Sequence, residues 1–333
     1  MKAYVMEKPG SFAWGEVEPY DAPPEWVTVA PTYVGLCGSD LHVYEGLLGG
    51  VQFPRAIGHE IVGIAQDGEF AGQLVAIDPV EGCGRCARCK EGQENVCAQI
   101  GIVGMYRDGG LAERVVISQE RLYLVPEGIS PTLSGITEAL AVAVHAVDRV
   151  KINEGDVIAV IGGGPIGMLT SIVARDRGGR VIISEPAKLR RDLADRIGFE
   201  TIDPVAEPGA LAETLGTDRA DIVFECAAHA SVSPTLTTLV RSGGTIVQVG
   251  VHTDLAQFNL SDITRREITL AGTRALSARD TPAALELITR RPDDLNALID
   301  DTLPPEGTQD ALERLKRGEA MKILIDTSEL SGA

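Results

Sequence analysis

Val157-Ile158-Ala159-Val160-Ile161-Gly162-Gly163-Gly164-Pro165-Ile166-Gly167 is an apolar run feeding a G-x-G-x-x-G turn. A strand, a glycine turn and a helix in that order open a dinucleotide-binding βαβ unit. Gly162 permits the tight turn, Gly164 lets backbone approach a pyrophosphate, and Gly167 lets the helix close on the strand. The helix N-terminus adds free N–H groups and the positive end of its dipole. On this reading Gly162, Gly164, Pro165, Ile166 and Gly167 bind the cofactor. Glu185 stands eighteen residues after Gly167. A carboxylate there accepts hydrogen bonds from a ribose diol and repels a 2′-phosphate, which favours NAD over NADP. Lys188, Arg190 and Arg191 just beyond it are the counter-signal, unless they face solvent as most helix charges do. The bland alternative is a glycine-rich turn without a ligand.

Further apolar runs at Val181-Ile182-Ile183, Ile222-Val223-Phe224, Thr245 to Val249 and Ile268-Thr269-Leu270 suit strands buried on both faces, with a helix at Ala187 to Ile197. Such alternation implies a parallel sheet covered by helices. Residues 1–135 read differently, as short strands broken by Gly and Pro, for example Trp26 to Ala30 and Leu74 to Pro79. From about Ser277 two helical patterns, Pro282 to Arg290 and Gln309 to Arg317, precede a terminal strand at Met321 to Ile325. The 333 residues suggest two domains. With 30 basic and 48 acidic residues the net charge is 30 − 48 = −18, which disfavours nucleic acid and anionic membranes as partners. No run reaches the roughly 20 apolar residues of a membrane span, and no secretory signal opens the chain. A cytoplasmic, reducing compartment is the expectation, in which clustered cysteines are more often metal ligands than disulfides.

Cys83, Cys86, Cys89 and Cys97 form C-x2-C-x2-C-x7-C among Gly82, Gly84 and Gly92. Such spacing turns four thiolates toward one centre, as a closed structural zinc site requires. Disulfides and an iron–sulfur cluster are the alternatives. Cys37 in Gly35-Leu36-Cys37-Gly38-Ser39-Asp40-Leu41-His42 and His59 in Gly58-His59-Glu60 also sit in glycine-flanked turns. A mixed Cys/His/carboxylate set with one open position is what a catalytic zinc needs. Taken singly, each is more often a packed core residue. Cys226, after an apolar run, reads as a packed thiol, and His145 as packed on a helix.

Together these segments, with Asp108-Gly109-Gly110 and Glu138, resemble the zinc-dependent medium-chain alcohol dehydrogenases, in the branch of sorbitol (polyol), 2,3-butanediol and threonine dehydrogenases. The resemblance covers essentially the whole chain. It implies an α/β architecture in which a Rossmann doubly wound parallel sheet domain, residues 139–276, is inserted into a β-rich, partly open, GroES-like barrel. The catalytic domain would then comprise 1–138 and 277–333. The resemblance also implies that Cys37, His59 and Glu138 bind the catalytic zinc, with Glu60 behind them or exchanging onto the metal, giving two zinc ions per chain and NAD as cofactors. Ser39 and His42 would relay the alcohol proton. Gly250 and Val251 would flank the nicotinamide, and Lys322 would lie near the cofactor phosphates. Tyr44, Tyr106 and Arg107 are expected to line the substrate pocket. Two departures stand out: Ala139 replaces the proline of the branch's Glu-Pro-Leu, and the turn from Gln66 to Gln73 is short, with Gln73 in the place of the usual aspartate.

The activity so implied is reversible oxidation of a secondary alcohol, a polyol, sugar-derived alcohol or diol, to a ketone by NAD. Alternatives are a threonine 3-dehydrogenase or other amino-alcohol dehydrogenase and, in another class, a catalytically inactive NAD-binding or structural protein. A homodimer or homotetramer is expected, the dimer associating through Ile268 to Leu270.

Overall fold

The computed structural model describes residues 1–252 and 255–331. The chain divides into two compact units, one of Met1–Ala141 with Ala275–Ala333 and the other of Val142–Arg274. Both divisions fall a few residues from those expected of the sequence. The first lies inside the helix Thr137–Val147, where the apolar pattern is continuous and offers no break to read.

In the second unit six parallel strands lie in the order Glu200–Ile202, Arg180–Ser184, Val157–Ile161, Ala220–Glu225, Val240–Gln248 and Thr269–Gly272. The sheet grows one way from Val157–Ile161 and then the other way from Ala220–Glu225. Those two strands therefore flank the topological switch point, above whose carboxyl ends ligands bind in such sheets. Ile158, Ala159, Val160, Ile182, Ile183, Val223 and Phe224 are fully buried, as double-sided cover by helices requires. The three-residue strand Glu200–Ile202 gives no sequence signal, being too short to show a period. The helix after the glycine turn spans Pro165–Asp176, with Pro165 at its start. Proline's fixed φ suits that first helical position.

The first unit is built on a seven-stranded sheet. Its main path runs Ile299–Leu303, Lys322–Asp326, Trp26–Gly35, Glu60–Ala65, Leu74–Ile77 and Leu122–Leu124, and Val115–Ser118 pairs with Trp26–Gly35. Only Ile299–Leu303 and Lys322–Asp326 pair in parallel; the other neighbours are antiparallel. One face encloses Val29, Val75, Ile77, Ile117 and Leu122. A second cluster, with Met6, Leu36, Ile57, Leu111, Leu312 and Ile323, packs the C-terminal segment against the opening hairpin of Lys2–Lys8 and Ser11–Glu16. Each fully buried Leu, Ile or Met contributes about 1.5–3 kcal/mol. Among the described residues no helix is long and apolar enough to cross a membrane.

Candidate active site

Strand register assembles the first donor set. Gly35 pairs with Glu60 on one side and with Leu324 on the other, so the turn after Gly35, the start of the Glu60 strand and Lys322 converge. Gly35 is needed there, since a Cβ on it would stand 2.0 Å from Glu60 Oε2. Cys37 caps the helix Gly38–Tyr44, its N–H donating to Asp40 Oδ2 at 3.0 Å. The donor atoms of Cys37, His59 and Glu60 all lie within 4.8 Å of one another. His59 Nε2 lies 3.4 Å from Ser39 Oγ, and its Nδ1 faces the fully buried Asp40 carboxylate at 3.4 Å. His42 follows one turn after Ser39 on the same helix. Burial alone would lower the His59 pKa, but Asp40 and Cys37 outweigh it and raise it well above the usual histidine value.

The carboxylate grouped with Cys37 and His59 is thus Glu60, although the sequence points first to Glu138. Glu138 starts the helix Thr137–Val147 and is buried close to the others. Burial, chiefly, and the Glu60 charge push its carboxyl up to about 7. Three buried carboxylates, those of Asp40, Glu60 and Glu138, share one lysine with a thiol and an imidazole, so a divalent cation offsets charge left over, and the mixed donor set suits zinc.

Lys322, expected near the cofactor phosphates, stands beside this donor set. It is buried, and its Nζ donates to both Glu60 oxygens at 2.7 Å and to the Leu36 carbonyl at 3.1 Å. Its ammonium is committed to the Glu60 carboxylate. Burial would lower its pKa, but Glu60 and Cys37 hold it above the usual lysine value. Replacing Lys322 by Met strands a buried charge, which costs on the order of 3–5 kcal/mol. The thermal midpoint of Lys322→Met should fall by on the order of 10 °C, and Glu60→Gln in the same chain should restore part of it. A midpoint unchanged in the single variant would rule the pair out as a structural tie.

Two of the three expected substrate contacts have polar partners within the first unit. Tyr44 is buried, its ring stacked on Phe12 and its hydroxyl donating to Glu313 at 3.0 Å. Arg107 donates to both Glu81 oxygens at 3.0 and 2.6 Å and to the Val116 carbonyl at 2.8 Å, under the rings of Tyr20 and Trp26. Tyr106 is exposed. Asp40 is the residue that sequence reasoning missed. Its signal was an acid three residues after the helix-capping Cys37.

The four-cysteine lobe forms a second donor set. Its sulfurs lie within 4.8 Å of one another, with spacings of 3.5 Å for Cys86–Cys89, 3.8 Å for Cys86–Cys97 and 4.0 Å for Cys83–Cys89. A tetrahedron of thiolates about zinc has edges of roughly 3.8 Å. All six cysteines are free thiols, which sets the disulfide alternative aside. Backbone N–H groups of Arg85 and Cys86 lower the Cys83 pKa to about 6, favouring the thiolate that a metal binds.

In the second unit Gly162 takes φ +96°, and a Cβ on Gly167 would stand 1.8 Å from the Gly162 carbonyl oxygen. Glu185, buried at the end of Arg180–Ser184, accepts from Gly163 N at 2.7 Å and Ala187 N at 2.8 Å. The basic trio behind it is paired within the unit: Lys188 with Asp192, Arg191 with Asp203 and the Glu185 carbonyl, and Arg190 at 3.7 Å from Glu185. Gly250 and Val251 follow the strand Val240–Gln248, and Val251 is largely exposed.

Residues 23–127 match the alcohol dehydrogenase GroES-like domain, and residues 165–290 match the zinc-binding dehydrogenase family. The chain is 32% identical over 304 residues to the 2-dehydro-3-deoxy-L-galactonate 5-dehydrogenase of Pseudoalteromonas atlantica, covering 88% of this chain and 89% of that protein. It is 31% identical to the sorbitol dehydrogenase of Halalkalibacterium halodurans, covering 98% of this chain and 99% of that protein. An alcohol dehydrogenase of Escherichia coli CFT073, solved with NADH, is 26% identical with a TM-score of 0.90, over 98% of this chain and 99% of that one. The chain belongs to the zinc-dependent medium-chain alcohol dehydrogenase family.

Proposed function

We propose that the protein reversibly oxidises a secondary alcohol of a polyol, sugar acid or diol. The alcohol and NAD⁺ give the ketone, NADH and one proton. The observation that carries this reading is the grouping of half-buried Cys37 with buried His59 and Glu60, Ser39 standing against the imidazole. The sugar-acid and sorbitol dehydrogenases among the relatives support the substrate class.

Zinc, when bound, supplies a Lewis acid that lowers a hydroxyl's pKa, and NAD supplies the hydride acceptor. Cys37 and His59 would hold the catalytic ion, with Glu60 or Glu138 as the carboxylate. Cys83, Cys86, Cys89 and Cys97 would hold the structural ion. Asp40 fixes the orientation of the His59 ring, as carboxylates behind metal-bound histidines do. Ser39 accepts the alcohol proton, and His42, one turn along the same helix, passes it on to solvent. In the second unit the turn from Gly162 to Gly167 receives the pyrophosphate and Glu185 the ribose diol.

The test is NAD⁺ reduction over sorbitol, xylitol, sugar acids, inositols, 2,3-butanediol and threonine. Turnover with polyols, sugar acids or diols is expected. Turnover with threonine alone would support the amino-alcohol alternative, and none with any substrate the inactive one. Glu185 should also make kcat/KM for NAD exceed that for NADP on the order of 100-fold, a like-charge penalty; equal values would overturn its role. Free thiols throughout support a reducing, cytoplasmic setting. The edge strand Thr269–Gly272, with Leu270 exposed, supports self-association, which light scattering would measure.

A further inference from the structure

Glu225 ends the strand Ala220–Glu225 with no exposed surface, and none of the steps above uses it. Its Oε1 accepts from Ala227 N and Ala228 N, each at 2.8 Å. Ala228 is held at φ +53°, a conformation that non-glycine residues adopt mainly where surroundings enforce it. Its Oε2 accepts from Gln248 Nε2 and lies 3.2 Å from His252 Nε2. Gln248 also donates to the Gly250 carbonyl at 2.9 Å. The Glu225 backbone carbonyl accepts from Val249 N and Gly250 N at 2.9 and 2.8 Å. One residue therefore fastens two turns, 226–228 and 249–252.

These turns leave adjacent strands, since Glu225 pairs with Gln248. The first turn also meets the glycine turn: Cys226 N donates to the Ile161 carbonyl at 2.8 Å, and a Cβ on Gly162 would stand 2.8 Å from Ala227 N. A Cβ on Gly250 would stand 2.7 Å from Ala228 N. The loops over the carboxyl ends of three neighbouring strands, on both sides of the switch point, thus form one packed rim. A buried carboxylate is a poor way to gain stability, since apolar packing of the same volume usually does as well or better. What this carboxylate gives is a fixed geometry for backbone that a ligand over the strand ends would meet.

We propose that Glu225 is a positioning residue for the nicotinamide half of NAD, holding the Ala227–Ala228 and Gly250–His252 turns against which that half rests. The inference rests on the reading of the second unit as the coenzyme domain. Glu225→Gln keeps the shape but presents an amide N–H2 to either the Ala N–H groups or the Gln248 amide, so one turn loses its tie.

The experiment compares dissociation constants for NADH and for ADP-ribose, which lacks the nicotinamide, in the holoenzyme. In Glu225→Gln the NADH constant should rise about tenfold, as expected for losing charged hydrogen bonds, while that for ADP-ribose stays within about twofold. Equal weakening of both ligands, or of neither, would overturn the proposal. Should that variant fail to fold, His252→Gln at the rim's outer edge decides it by the same NADH-to-ADP-ribose split. A wild-type protein that binds neither ligand would instead sink the coenzyme reading itself.

Discussion

Cys37→Ala should retain one zinc ion per chain instead of two and turn over on the order of a thousandfold more slowly. Removing the thiol leaves His59 and a carboxylate, too few ligands for a tight site. The Lewis acid contribution lost with the ion is several kcal/mol, each 1.4 kcal/mol being tenfold in rate. Metal analysis and steady-state kinetics measure both effects. The remaining ion should resist the substitution, because the four cysteines lie in a separate loop between Cys83 and Cys97 and share no ligand with Cys37. Two ions with full turnover would show that Cys37 does not ligate, and one ion with full turnover would detach the metal from the reaction.

Arg107→Ala should destabilise the protein severely while leaving the Michaelis constants for alcohol substrates unchanged. The guanidinium bonds both Glu81 oxygens, at 3.0 and 2.6 Å, and it also satisfies the Val116 carbonyl and lies under Tyr20 and Trp26. Truncation removes a bidentate ion pair, a backbone bond and two cation–π contacts together. Loss of one partner of such a mostly buried pair costs on the order of 3 kcal/mol. A thermal midpoint lower by on the order of 10 °C is expected. A midpoint unchanged with a raised Michaelis constant would restore Arg107 to the substrate.

The contrast between these two residues shows what a sequence can carry. The glycine turn, the cysteine spacing and the doubly buried strands are local patterns, each written within a short segment. The ties of Arg107, Tyr44 and Lys322 are not. Tyr44 meets Glu313 and Lys322 meets Glu60 across 269 and 262 positions; the packing of two distant helices decides the first meeting and register between distant strands the second. Arg107 and Tyr44 therefore read as pocket residues by the company of their own segments, and the structure gives them different partners. The short strand Ile299–Leu303 was equally hidden, since Asp300 and Asp301 interrupt its apolar pattern. Asp40 stands within the Cys37 to His42 segment, but its part depends on a histidine nineteen residues away.

The Lys322–Glu60 pair also sets an order of events during synthesis. Glu60 leaves the ribosome 262 residues ahead of its counter-charge. At about 5–20 residues per second, that is a wait of roughly 13–50 s. Throughout that interval Glu60 must keep its water or borrow another cation, so the donor pocket is among the last parts of the first unit to be sealed.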